Sequence, residues 1–182
     1  MNNYNLDTGK KYIKDIFSTE CFYNIPEYQR PYVWGKEQIV TLLEDLNSAL
    51  EEDEKKEYFL GCMIWNTKKV KENGFEYISY DILDGQQRFI TLYLLQGVIR
   101  DLSTDKKLKE KVTDRMKQEE DVYDNVPERN RIIFDIRDDK EFLEKHLLTL
   151  GGTAKEDDLE YIINKKGTTT SVKNMSSAIL IM

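Results

Sequence analysis

The sequence predicts an α/β (α+β) domain, and three segments carry that prediction. Over 36–52 the apolar positions Ile39, Leu42, Leu43, Leu46, Ala49 and Leu50 fall on one stripe with acidic residues opposite, as an amphipathic helix requires. Two segments rich in aromatic and branched residues, 58–66 and 76–83, are separated by a Lys-rich stretch and Asn73-Gly74, a dipeptide that favours a tight reversal, and predict an antiparallel hairpin. After Asp84-Gly85 the residues Phe89, Ile90, Leu92, Leu94, Leu95, Val98 and Ile99 make 88–102 apolar on nearly all sides, which predicts a buried helix.

The remaining elements follow in order. A short amphipathic helix is expected over 8–17, starting at Asp7 or Thr8 and presenting Tyr12, Ile13, Ile16 and Phe17 at helical spacing. Cys21 to Ile25 reads as a short strand stopped by Pro26. Residues 105–124 are charged and read as helical or mobile, 131–136 resembles a strand, and 138–150 resembles a capped helix. Gly151-Gly152 is expected to end the compact pattern, so the chain divides into a domain over 1–150 and, over 151–182, a linker with the truncated start of a downstream helical region. Beyond it only a short helix near Leu159 to Asn164 is expected, before a polar run and the apolar end Ala178-Ile179-Leu180-Ile181-Met182, which suggests that the natural protein continues.

At 182 residues the chain suits one domain with a sizeable core plus a remnant, since compact domains run about 100 to 200 residues. With 40% hydrophobic and 34% charged residues it reads as a globular protein in water. No stretch reaches the ~20 apolar residues of a membrane span and the polar start lacks a secretory pattern, so a cytoplasmic location without membrane contact is expected. The net charge of -7 argues against a surface built for the phosphate backbone of nucleic acid. Cys21 and Cys62 lack metal-ligand spacing and are expected to be packed, reduced thiols; the single histidine, His146, is expected to be solvated or capping.

The strand, turn and helix around Asp84-Gly85-Gln86-Gln87-Arg88 carry the chemistry. Free amides in the first turn of a helix, together with the aligned peptide dipoles, hold anions without many cationic side chains. Gly85 permits close backbone approach, Arg88 adds a planar fork suited to phosphate oxygens, and Gln86 and Gln87 supply neutral amides for a phosphate, a base or a water. The competing account makes Asp84-Gly85 a plain strand end, with Arg88 paired to a carboxylate such as Asp81. Two glutamines and an arginine at the mouth of an apolar helix favour function, because Lys or Glu would serve solubility equally well.

A second polar cluster, Tyr28-Gln29-Arg30, lies between Pro26 and Pro31, where Arg30 is placed to clamp phosphate from the other side. Tyr28 is assigned to the ligand and Trp34 to packing. Glu27 and Asp84 are candidates to position magnesium or an attacking water.

The segments I-P-E-Y-Q-R-P-Y-V-W at 25–34 and D-G-Q-Q-R at 84–88, with Tyr58-Phe59-Leu60-Gly61 between them, resemble the N-terminal domain family of GmrSD-type restriction enzymes. The resemblance implies a ParB/sulfiredoxin-like fold, a small mixed sheet flanked by helices, that binds and often hydrolyses nucleoside triphosphate with Mg2+. It places Arg30, Asp84, Gly85, Gln86, Gln87, Arg88 and Thr91 in the nucleotide site with Tyr28 and Gln29 beside it, and gives Asp84, Gln87 and Arg88 the catalytic roles. It also implies a nuclease domain or subunit downstream, through which the full-length protein would meet DNA in phage defence. Sulfiredoxin chemistry is not expected, because Gln86 and Gln87 stand where a reactive cysteine would be needed. The alternative function is a non-catalytic DNA- or protein-recognition module.

Overall fold

The computed structural model describes residues 8–52, 57–72 and 74–182. The expected start at Asp7, the polar N-terminus and the Asn73 half of the turn lie outside the described residues. In order the elements are α1 (Ile13–Ile16), β1 (Phe22–Ile25), α2 (Lys36–Glu52), β2 (Ile64–Glu72), β3 (Phe75–Asp84), α3 (Gln86–Leu102) and α4 (Lys106–Met116). There follow β4 (Lys117–Gln118), β5 (Arg129–Asn130), β6 (Ile132–Phe134), α5 (Arg137–Phe142), a π-helical turn (Leu143–Leu148), α6 (Glu156–Asn164) and α7 (Thr170–Ile181). The α+β class is as expected, and among the described residues no helix is long and apolar enough to cross a membrane.

The main sheet runs β2-β3-β1-β6. β1 is parallel to both neighbours, with Tyr23 opposite Tyr80 and Ile132, while β2 returns antiparallel to β3. Because side chains alternate across a strand, Tyr23 and Ile25 share one face with Tyr80 and Ile82, and α3 covers that face. The Phe89 ring lies 4.8 Å from that of Tyr23 and 5.1 Å from that of Phe17. α3 is buried as its composition predicts.

Several expectations are corrected. The first helix is one turn, not ten residues, because only Ile13, Ile16 and Phe17 pack on the core and so short an apolar face does not sustain a longer helix in water. The first hairpin strand lies over the Lys-rich segment itself; Gly61 takes φ +104° and keeps 58–61 out of the sheet, while lysines suit an edge strand that faces water. The helix expected to run to 150 changes to π-helical geometry at Leu143.

Packing also continues past Gly152. Val172, Met175, Ala178 and Ile179 of α7 are buried in the same core as Ile39 and Leu42 of α2 and Leu94 of α3. Burying the Val, Met and Ile side chains contributes about 1.5–3 kcal/mol each. The Thr153 hydroxyl donates to Asp101 at 2.7 Å, tying the segment after the glycines to α3. His146 is buried at 1% exposure, stacked on Phe142, rather than solvated. Both cysteines are free thiols as expected, and half-buried Cys21 packs against the core, but Cys62 is exposed rather than packed.

Candidate functional site

Parallel pairing brings the two motif segments together. β1 and β3 run side by side, Asn24 opposite Asp81, so the loop after Ile25 and the turn after Asp84 emerge at the same edge. Crevices outside the carboxyl ends of such strands are where open α/β sheets hold ligands. At that edge Gly85 is left-handed, with φ +80°, and a Cβ there would lie 2.8 Å from Met63 Cγ and 2.9 Å from the Cys62 carbonyl. No other residue fits. Gly85, rather than a side chain, is the N-cap of α3; its N–H donates to its neighbour Asp84 Oδ1 at 2.8 Å, and its carbonyl receives Phe89 N–H at 3.0 Å. The amides of Gln86, Gln87 and Arg88 are therefore left without helical acceptors, the arrangement that favours an anion.

The two glutamines turn inward. Gln87, 4% exposed, accepts the Val33 N–H at 2.8 Å and donates to the Pro31 carbonyl at 3.1 Å. Gln86 donates to the Arg30 carbonyl at 3.1 Å and leaves its own buried Oε1 without a partner. Thr91 lies one turn deeper, fully buried, bonding the Gln87 carbonyl and the Tyr32 hydroxyl at 2.8 Å each. Burial raises the Tyr32 phenol to about 12 although that hydroxyl contact opposes it. Gln29 donates to the Leu83 carbonyl at 3.3 Å. The amides expected to touch ligand thus bond neighbouring main chain instead.

Arg88 faces outward. It lines a cleft of about 370 Å³ together with Trp34, Glu37, Asp45, Tyr58 and Gly61, its guanidinium carbon 6.0 Å from the Trp34 ring centre. Gly61 makes room, since a Cβ there would lie 2.5 Å from Arg88 Nη1. The Tyr58 hydroxyl donates to Asp45 at 2.9 Å, and that bond raises its phenol above the ordinary value while Arg88 pulls the other way. Among the described residues no carboxylate pairs with Arg88; Asp81, the expected partner, is bound by Lys68 and lies 3.5 Å from Asn24 Nδ2.

Arg30 and Tyr28 are exposed, Tyr28 at 69%, and neither lines this cleft. The two guanidinium groups therefore do not share the cavity as the sequence suggests. Trp34, assigned to packing, does pack against the core but also walls the cleft. Glu37, Asp45 and Tyr58 were not foreseen; the Tyr58-Phe59-Leu60-Gly61 segment was the available signal for the last.

Among the described residues no three of His, Cys, Asp and Glu converge to hold a metal. Glu27 and Asp84 are both exposed. Magnesium commonly needs only one or two carboxylates when substrate phosphates supply the rest, and Asp84, with Oδ2 unbonded among the described residues, fits that minimal role.

No curated protein matches the chain. A family model described as GmrSD restriction endonuclease, N-terminal domain, matches residues 11–180, spanning the loop, the turn, Arg88 and the packed α7, and the chain belongs to that family.

Proposed function

We propose that the chain binds a nucleoside triphosphate with magnesium at the mouth of α3, hydrolyses it, and serves as the regulatory domain of a restriction enzyme in phage defence whose nuclease lies outside this chain. The observation that carries the reading is Arg88: a half-buried guanidinium without a carboxylate partner among the described residues, in a cleft walled by an indole ring and borne on the first turn of α3. A guanidinium fork left without a paired carboxylate is suited to an anionic ligand.

In this reading the amides of 86–88 and the Arg88 fork hold phosphate oxygens, where they stabilise charge that develops on the transferred group. Magnesium would neutralise the phosphates, with Asp84 as its protein ligand. Gln87 contributes by fixing the loop main chain, because both ends of its side-chain amide are already engaged. Arg30, exposed outside the cleft, would draw the triphosphate in by charge. The fold expectation of a ParB/sulfiredoxin-like sheet agrees with parallel β1 and β3 presenting this edge.

Calorimetry with ATP and GTP in the presence of magnesium, alongside phosphate release, tests the reading. Binding is expected, and Arg88→Ala should weaken it about ten- to hundredfold, the worth of a charge-assisted hydrogen bond. Absence of nucleotide binding at millimolar concentration, or salt-sensitive DNA binding without phosphate release, would overturn it.

A further inference from the structure

Among the described residues, the main chain of the 30–33 loop takes its hydrogen bonds from side chains. The Arg30 carbonyl bonds Gln86, the Pro31 carbonyl and Val33 N–H bond Gln87, the Tyr32 N–H donates to Ser171 Oγ at 3.2 Å, and Asn174 Nδ2 donates to the Tyr32 carbonyl at 3.2 Å. Among the described residues none of these five groups bonds to other main chain. Three of the five bonds come from α3, which forms the candidate site; the other two come from α7, some 140 residues later in the chain.

The α7 side has its own support. Ser171 Oγ accepts from the Tyr32 N–H and its hydroxyl donates to Asp139 Oδ2 at 2.8 Å, so the oxygen is fixed as an acceptor for the loop. Asp139 is 2% exposed and its Oδ1 has no partner. A buried carboxylate with one oxygen unbonded costs stability, and core packing alone would be served by an apolar side chain.

We infer that Ser171 and Asn174, backed by Asp139, are positioning residues that set the 30–34 loop, and with it the Trp34 wall of the ligand cleft, from α7. The effect on ligand rests on the nucleotide reading above; the effect on the loop does not. The three residues touch main chain and one another, not the cleft, so they act through the loop. A movement of α7 relative to α3 breaks both Tyr32 bonds together and relaxes one wall of the site.

Amide hydrogen exchange of the ligand-free chain separates positioning from general support. In Ser171→Ala and Asn174→Ala, exchange at Tyr32 and Val33 should rise about five- to tenfold, as loss of one buried hydrogen bond gives, while Tyr93 in α3 stays unchanged. Asp139→Asn keeps an acceptor for Ser171 and should behave as the parent, whereas Asp139→Leu should match Ser171→Ala. Affinity for ATP with magnesium should fall by a similar factor, with turnover at saturation retained. Unchanged exchange at Tyr32, or a rise shared equally by Tyr93, overturns the inference. Asn174→Ala removes a half-exposed side chain and keeps the test available should Ser171→Ala fail to fold. Local loosening in a chain whose parent does not bind ATP would sink the nucleotide reading and leave the positioning role standing.

Discussion

Gln87 accepts the main-chain N–H of Val33 at 2.8 Å from within the first turn of α3, and the same side chain returns a donor to the Pro31 carbonyl. A residue of the motif is therefore a structural tie between its helix and the neighbouring loop. Gln87→Leu would fill the same volume and leave two part-buried main-chain groups without their side-chain partner. It should cost about 2–4 kcal/mol, at 1–3 kcal/mol for each unsatisfied group. Urea unfolding checks this, and a midpoint that stays within about 0.5 kcal/mol of the parent, the level of an ordinary surface change, refutes the tie.

Gly61 and Gly74 separate two costs that usually come together. Both have positive φ, +104° and +88°, but a Cβ at Gly74 meets nothing within 4 Å while one at Gly61 meets Arg88 Nη1. Each alanine variant should lose about 1–2 kcal/mol for the left-handed backbone. Only Gly61→Ala should also displace Arg88 and weaken ATP binding, read by calorimetry. Equal effects of the two variants on affinity would show that Arg88 does not depend on the space beside Gly61.

What could be read from the sequence divides along a physical line. α2 was legible end to end because its stripe of Ile39 and Leu42 is a local, periodic signal. α7 was not, since Val172, Met175 and Ala178 are interleaved with Ser171, Asn174 and Ser176, whose polar atoms are satisfied only by the distant Asp139 and Tyr32 or by their own helix. β2 slipped by several residues because the strand period is masked by Lys68, Lys69 and Lys71 on an edge facing water. The glutamine pair stands out in the sequence at the mouth of an apolar helix, but the destination of a side-chain amide depends on which loop the sheet brings alongside. That information lies in the parallel pairing of β1 with β3.

Gly97 reports the contact between α3 and the π-helical turn. A Cβ there would collide with Leu147 Cδ1, with Leu147 Cγ at 3.3 Å and Thr153 Cγ2 at 3.4 Å beyond it. In an exposed helix Gly→Ala gains up to about 1 kcal/mol. Here Leu147 is fully buried and cannot swing aside, so overpacking at about 1–3 kcal/mol should win and Gly97→Ala should be destabilised. Thermal unfolding gives the sign, and a stabilised variant would mean that the π-helical turn yields.

His146 makes the fold sensitive to mild acid. Burial holds its pKa below the usual 6.5, Lys145 and Lys155 push the same way, and Asp158 opposes them. The unfolded chain therefore takes up a proton at a higher pH than the folded chain does. The stability from keeping this imidazole neutral is present in full above about pH 6.5, is lost as pH falls toward the folded value, and changes no further below it. Asp139 acts in the opposite sense at lower pH, because burial raises its pKa above 3.8 and favours its protonated form in the folded chain. Stability measured by urea unfolding between pH 8 and pH 5.5 (~ values bracketing the histidine range) should thus fall with acid in the parent and fall less in His146→Gln, which keeps a neutral polar side chain at all pH. Parallel curves for the two proteins would show that His146 is charged or hydrated in the folded state.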